Sequence, residues 1–268
     1  MRRDEVVMHI AVAGGTGLVG KMVVDAVRAS GDTPVVLARS TGVDLTTGAG
    51  LDAALVDASA VIDVSNIVTT NKSKAVAFFQ AATTTLLAAE ERAGITHHVV
   101  LSIVGVDRVG WGYYRGKLRQ EELALSGRVP ATVLRATQFH EFAAQMLDRG
   151  GPVAIAPRML CQPIAAREVA AALVETCRDA PLGQAPELAG PEQLQMSDMV
   201  CQLLKARGGH RLVVPLRLPG AAGKAMAGGA LLPIADGPRG TQTFTQWLST
   251  PDAGTAPGTG TPESGGRA

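Results

Sequence analysis

The stretch Met8-His9-Ile10-Ala11-Val12-Ala13-Gly14-Gly15-Thr16-Gly17-Leu18-Val19-Gly20 decides the fold. Met8–Ala13 is an apolar run of strand length, and from Leu18 the apolar residues recur at helical spacing (Val19, Met22, Val23, Ala26, Val27). Between them, Gly15, Gly17 and Gly20 fit G-x-G-x-x-G, while Gly14, Gly17 and Gly20 fit the variant G-x-x-G-x-x-G. A strand, a glycine turn and a helix in that order read as a dinucleotide site. The turn requires positive φ, and a backbone without Cβ atoms can approach a pyrophosphate. The helix start then offers free N–H groups and a positive dipole end to the anion. Gly14, Gly15, Thr16, Gly17, Leu18, Val19 and Gly20 are the expected cradle.

Outward from this stretch, strands are expected at Pro34–Ala38, Val43–Leu45, Ala60–Val64, His97–Val104 and Ala131–Ala136. Helices are expected at Leu51–Asp57, Asn71–Ala93 and Gly112–Ser126. This alternation predicts an α/β fold, a Rossmann-type doubly wound parallel sheet covered on both faces. Ligands of such sheets sit beyond the strand C-termini at the switch point. Residues 1–150 form the expected NAD(P)-binding core. After Gly150-Gly151 the pattern loosens into short strands (Val153–Ala156, Glu187–Ala189, Leu212–Val214) and helices (Ala165–Cys177, Met196–Ala206, Gly220–Ala227, Thr241–Leu248). Residues 151–248 are expected to form a small C-terminal substrate lobe packed on the core within the same domain. Gly, Pro, Thr and Ala dominate 249–268, which reads as a disordered tail.

Composition narrows the function. A formal net charge of +1 over 268 residues gives no footprint for nucleic acid or for an anionic membrane. No apolar run reaches membrane-span length, and Met1–Glu5 leads into no signal-peptide pattern, so a cytoplasmic setting is expected. Cys161, Cys177 and Cys201 lack Cys-x-x-Cys spacing, which argues for reduced thiols and against a zinc site. His97 and His98 likewise have no suitably spaced partner for a metal.

Arg39 follows the second strand nineteen positions after Gly20, where an NAD site would carry a carboxylate. An arginine there suits the 2′-phosphate of NADP, with the hydroxyls of Ser40 and Thr41 as further donors. Asp44 has two readings, a bond to the adenine amino group or a turn carboxylate. Ser65 and Asn66 end the fourth expected strand, where ribose and diphosphate would pass. In Tyr113-Tyr114-Arg115-Gly116-Lys117, Tyr113 and Lys117 are four apart and share a helix face. A lysine beside a phenol favours the phenolate, so Tyr113 can exchange a proton with a carbonyl or alcohol oxygen while Ser102 bonds the same oxygen. The alternative is a half-buried tyrosine and a solvated lysine. Tyr114 would take the catalytic place in a rotated helix, and Gly116 is expected to loosen that turn. The rim segment contributes Gln138, Phe139, His140 and Phe142 to a candidate substrate wall with Trp111, Met146 and Met159. His140 reads either as a donor to substrate or as a histidine bonded to backbone beneath the lobe.

The chain resembles atypical members of the short-chain dehydrogenase/reductase superfamily, close to the NmrA-like NAD(P)-binding proteins. Carrying the likeness are Ala-Gly-Gly-Thr-Gly-Leu-Val-Gly (13–20), Val-Leu-Ala-Arg-Ser (36–40) and His-Val-Val-Leu-Ser-Ile-Val-Gly-Val-Asp (98–107). Tyr-Tyr-Arg-Gly-Lys (113–117) and Leu-Arg-Ala-Thr-Gln-Phe-His-Glu-Phe (134–142) extend it, and it spans roughly Ile10 to Leu248. The resemblance implies NADP(H) in preference to NAD(H), with Lys117 on the nicotinamide ribose. It aligns Ser102, Tyr113 and Lys117 with the superfamily's catalytic serine, tyrosine and lysine. It also implies three kinds of protein: an NADP(H)-dependent oxidoreductase of a small or medium carbonyl or alcohol, a non-catalytic redox sensor engaging a protein partner, or an epimerase- or dehydratase-like enzyme.

Overall fold

The computed structural model of the chain describes residues 7–254. The first half alternates strand and helix: β1 (His9–Ala13), α1 (Leu18–Ala29), β2 (Thr33–Leu37), α2 (Leu51–Ala54), β3 (Ala60–Asp63), α3 (Lys72–Ala93), β4 (His97–Ile103), α4 (Gly112–Ser126) and β5 (Ala131–Ala136). There follow α5 (Glu141–Leu147), β6 (Val153–Pro157), β7 (Leu160–Cys161), α6 (Ala166–Arg178), β8 (Gly183–Gln184), β9 (Leu194–Gln195) and α7 (Met196–Ala206). The chain continues through β10 (Leu212–Leu216), α8 (Gly220–Ala227), α9 (Phe244–Leu248) and α10 (Pro251–Gly254).

Six strands form one parallel sheet in the order β2-β1-β3-β4-β5-β8. Alternate side chains of each strand point to opposite faces, so the two faces gather separate cores. Ile10, Val12, Ile62 and Val99 pack with Val23 and Val27 of α1 and Val169 and Leu173 of α6. On the other face Ala11, Ala13, Leu37 and Val61 meet Leu51 of α2 and Leu86 and Ala89 of α3. The chain leaves β1 toward β2 on one side and returns to β3 on the other, which places the switch point beyond β1 and β3.

A separate core is built from α5, α7 and β6 with Met226, Phe244 and Trp247. Over it lie two small sheets, β6 with β10 in parallel and β7 with β9 antiparallel. Three details depart from the sequence reading. No strand forms at 43–45: Val43 is buried, but the Asp44 carboxylate accepts from the N–H (2.8 Å) and hydroxyl (2.7 Å) of Thr46 and bends the chain. The segment 187–189 makes only isolated bridges, Ala136 with Leu188 and Ala189 with Arg239. The expected disorder from Ser249 fails for 249–254, where Arg167 pairs with Asp252 and Arg207 donates to the Ala253 carbonyl, anchoring α10. Residues 255–268 lie outside the described residues.

Candidate functional site

At the switch point the turn after β1 touches the first residues after β3. Gly14 has φ of +78°, and a Cβ there would lie 2.9 Å from Cα of Ser65. A Cβ on Gly20 would overlap the Gly14 carbonyl oxygen, so α1 seats against the turn only because both positions are glycine. Of the two glycine registers, Gly14-Gly17-Gly20 carries the tight geometry. The Gly17 N–H donates to Gly14 O at 2.9 Å, and Lys21 N–H returns to Gly17 O at 3.0 Å. The amides of Leu18, Val19 and Gly20 precede that first helical bond, and no acidic residue occupies the first turn of α1. Gly17–Gly20 open on a cavity of about 880 Å³. This cradle, with glycine at 14, 15, 17 and 20 and free amides at the helix start, fits a dinucleotide diphosphate.

At the end of β2, Arg39 opens a single 3-10 turn, Arg39–Thr41. Its guanidinium is solvent-exposed and forms no hydrogen bond or ion pair among the described residues. Ser40 is exposed beside it. The Thr41 hydroxyl is turned inward to the carbonyls of Val36 and Ala38 at 2.9 and 2.8 Å, so it is spent locally rather than on a phosphate. Of the two readings of Asp44, the turn carboxylate is the one its contacts support. The bonds from Thr46 hold its carboxyl below the usual range, with Arg39 contributing.

Ser65, Asn66, Ser102, Tyr113, Tyr114 and Lys117 line the same cavity as the glycine turn. The Ser65 and Ser102 hydroxyls are buried without a partner among the described residues, two orphaned donors facing a ligand-sized space. The Tyr113 hydroxyl donates to Asn66 Oδ1 at 2.8 Å. Lys117 does not meet it. Its ammonium donates to the Leu101 carbonyl at 2.6 Å and to Gln120 Oε1, and it lies 5.0 Å from the centre of the Phe79 ring. Gln120 in turn donates to Asp63 Oδ2 at 2.7 Å, whose other oxygen accepts the Ser65 N–H at 2.8 Å.

These contacts correct one expectation. Burial pushes Lys117 down to about 8, opposed by Asp63 and Glu121. Burial also raises both phenols, Tyr113 with help from Tyr114, so the lysine does not depress the Tyr113 pKa in this arrangement. The reason is geometric: a buried ammonium must satisfy its donors, and Leu101 and Gln120 do so first. Gly116 is also explained differently. A Cβ there would lie 2.7 Å from the Phe79 ring and 2.9 Å from the Ala75 Cβ, so whatever glycine costs the helix, it lets α3 and α4 approach closely.

Trp111, Gln138, Phe139, Phe142, Met146 and Met159 all line the cavity. Both ends of the Gln138 amide are buried and unpartnered among the described residues. Of the two readings of His140, its contacts match the histidine bonded to backbone beneath the lobe, and its place in the substrate wall is corrected: it is fully buried and absent from the cavity wall. Its Nε2 meets the Gln242 carbonyl at 3.1 Å, and the ring packs on Phe244 and Trp247 at 5.4 and 5.7 Å. Burial lowers its pKa, which favours the neutral ring. The preceding strand end explains the choice, since Gln138 and Phe139 face the cavity while His140 turns under α5.

Sequence reasoning missed Asp63, Gln120 and the Arg149 and Gln145 side chains at the cavity wall. A carboxylate inside the apolar run Ala60–Val64 was the available signal for Asp63. His98 pairs with Glu90 at 2.8 Å, and His97 meets Thr132 Oγ1 at 2.8 Å. No group of three metal-ligating side chains occurs among the described residues. The three cysteines are free thiols, and no described helix is long and apolar enough to cross a membrane.

No family profile and no curated protein sequence matches the chain. Solved structures do resemble it. MoeE5 in complex with UDP-glucuronic acid and NAD superposes with a TM-score of 0.70 at 18% identity, over 90% of this chain and 97% of that one. A short-chain dehydrogenase/reductase superfamily protein from Agrobacterium tumefaciens with bound NAD gives 0.66 at 19% identity, over 90% and 94%. The NADPH-dependent quinone oxidoreductase QOR2 from Escherichia coli gives 0.60 at 17% identity, over 90% and 98%. At these identities the likeness establishes the fold alone, a Rossmann-type parallel α/β sheet.

Proposed function

We propose that the protein is an NADP(H)-dependent oxidoreductase acting on a small or medium carbonyl or alcohol compound. The observation that carries this reading is the convergence, on one cavity, of a free-amide glycine cradle with an orphaned serine hydroxyl, two phenols and a buried lysine. The fold-mates bind NAD or NADPH, which supports a nicotinamide cofactor. The preference for NADP(H) rests on Arg39, an unpaired cation at the end of β2 with no carboxylate in its place. The division into a cofactor core at 1–150 and a substrate portion at 151–248 belongs to the same proposal.

When bound, the reduced nicotinamide supplies the hydride for the carbonyl carbon. The chain's own groups do the rest. Ser102 donates to the substrate oxygen and fixes its direction. Tyr113 releases Asn66 and gives its phenolic proton to that oxygen as it becomes an alkoxide. With the cofactor bound, Lys117 would hold its ribose, and the ammonium charge near the Tyr113 oxygen would stabilise the phenolate left behind. Tyr114 and the apolar side chains of Phe139 and Phe142 exclude water from the exchange.

A second reading has an observation of its own. With Lys117 bonded to Leu101 and Gln120 and both phenols raised by burial, the resting chain holds its acid–base pair apart. That arrangement also suits an NmrA-like NADP(H)-binding sensor that closes on a protein partner without turnover. The test is a titration of the purified chain with NADPH and NADH by calorimetry and nicotinamide fluorescence, followed by a carbonyl panel. NADPH binding with oxidation on some carbonyl supports the enzyme. Binding without turnover across the panel moves the reading to the sensor, and no binding of either nucleotide ends both.

A further inference from the structure

The charge of the cleft wall is one-sided. No aspartate or glutamate occurs among the described residues that line it, and its two cations are Lys117 on α4 and Arg149 just past α5. Lys117 is buried and bonded to Leu101 and Gln120. Arg149 is exposed and makes no side-chain hydrogen bond or ion pair among the described residues. The partners nearest to it in sequence are taken by other arginines. Asp148 accepts from Arg207 at 2.7 Å, and the Leu147 carbonyl at the end of α5 accepts from Arg211 at 2.7 Å. A helix C-terminus attracts a cation, but here Arg211 fills that role and Arg149 is left to the cleft.

Phe142, Gln145, Met146 and Arg149 recur at i, i+3, i+4 and i+7, and all four line the cleft. Asp148 keeps a right-handed turn beyond α5, so the face continues to Arg149. Two turns separate Phe142 from Arg149, about 10 Å along the axis. β5 leaves the sheet beside β4, with Ile103 opposite Ala136, so α5 starts at the Ser102 end of the cleft and ends away from it. Between the two ends the wall is apolar. Met146, Met159 and Met226 line it with Ile155 and Leu216, which are 53% and 46% exposed. The phosphates of a bound nucleotide do not account for Arg149. The cradle follows β1 and Arg39 follows β2, about 14 and 19 Å across the sheet from β5, which leads into α5.

We propose that Arg149, with Gln145 one turn before it, holds the carboxylate of a substrate whose carbonyl lies at Ser102 and Tyr113, an apolar oxo acid of medium length. This rests on the oxidoreductase reading of the cleft and names its substrate class. A guanidinium takes a carboxylate through two parallel N–H donors, and the Gln145 amide supplies a further one. A wall without acids sets no like charge against such a ligand. The methionines and the exposed Ile155 and Leu216 cover the chain between the two polar ends. In the reduction, the carbonyl carbon takes the hydride of NADPH and its oxygen takes the Tyr113 proton. The products are the hydroxy acid and NADP+, and the far carboxylate is unchanged.

The test uses the semialdehydes of succinic, adipic, suberic and sebacic acids with NADPH, each beside its methyl ester. Calorimetry of decanoate and decanol on the NADPH-loaded chain runs in parallel. The long acids are expected to show a KM about tenfold below that of their esters at similar kcat, a gap that salt narrows. The succinic pair shows no such gap, because its carboxylate does not span two helix turns. Arg149→Met closes the gap, Arg149→Lys keeps most of it, and the preference for decanoate over decanol disappears with Arg149→Met. Equal KM for acid and ester along the whole series overturns the proposal, as does a gap that survives Arg149→Met. A gap largest for succinic semialdehyde also overturns it and puts the anion on Lys117. Failure of the oxidoreductase reading looks different, since no semialdehyde then oxidises NADPH. Calorimetry decides the subsite in that case: an Arg149-dependent preference for decanoate sustains it, and equal binding of decanoate and decanol, or binding of neither, ends it.

Discussion

The Lys117 ammonium donates to the Leu101 carbonyl at 2.6 Å, one residue before the orphaned Ser102, and so stands away from Tyr113 on its own helix face. A buried lysine held at about 8 is protonated in both folded and unfolded chains below that pH, and deprotonated only in the folded one between 8 and the ordinary 10.5. The unfolded chain then binds more protons, so stability rises with pH across that window. The contribution is on the order of 3 kcal/mol. His98 and the buried thiols of Cys161 and Cys177, all raised, contribute the opposite slope, so the test is the difference between the wild type and Lys117→Met in urea unfolding from pH 7 to 10.5. The wild type is expected to gain on Lys117→Met between pH 8 and 10.5, and a difference that does not change with pH removes the buried charge from the account.

Arg39→Asp is expected to invert the coenzyme preference. A charge-assisted bond to the 2′-phosphate contributes about 1.5–3 kcal/mol, which corresponds to an NADPH affinity loss of about ten- to a hundredfold. Side-by-side calorimetry with NADPH and NADH checks it, and an unchanged ratio removes Arg39 from the phosphate.

The two tyrosines separate by kinetics. Tyr113→Phe is expected to lower kcat by about two to four orders of magnitude with NADPH affinity kept. Tyr114→Phe, whose hydroxyl has no hydrogen-bond partner among the described residues, alters KM more than kcat. The reverse pattern would make Tyr114 the proton donor and imply that α4 turns when the cofactor binds.

Gly20→Ala places a methyl group against the Gly14 carbonyl oxygen. Relieving that overlap shifts α1 off the turn, with a stability loss of about 1–3 kcal/mol. Nucleotide binding is expected to disappear in calorimetry even where thermal melting shows a folded chain. Gly31→Ala, at a surface turn with open space but φ of +83°, lowers stability through backbone strain away from the cradle and leaves binding intact, which separates a general stability loss from loss of the cradle.

The buried His98–Glu90 pair predicts an alkaline loss of stability. Burial lowers the His98 pKa, but the Glu90 charge and hydrogen bond raise it further, so the folded value lies above 6.5. A raised histidine stabilises fully below its unfolded pKa, and that stability fades as pH climbs through the folded one. Glu90→Gln leaves an unpaired buried group and is expected to destabilise by about 3–5 kcal/mol at pH 6, with a smaller deficit at higher pH. Melting temperatures at pH 6 and 9 make the comparison.

How much was legible follows from the range of each interaction. Apolar periodicity and turn glycines are local, so five strands of the large sheet and the glycine cradle could be read directly from residues 8–20 and the repeats after them, while the two-residue edge strand β8, too short to carry a period, could not. The i, i+4 spacing likewise placed Tyr113 and Lys117 on one helix face. Spacing does not say which donor a buried lysine will satisfy. Leu101 lies on a neighbouring strand, and Gln120 is held by Asp63 from fifty-seven residues away.

The sequence by itself determined the parallel α/β sheet and the amide cradle at its switch point, because hydrophobic period and the need for glycine act within a few residues. Only the tertiary structure decided that Lys117 faces Leu101 and that His140 lies under the lobe. Those outcomes depend on desolvation and on partners distant in the chain, and both are set only when the layers close on one another.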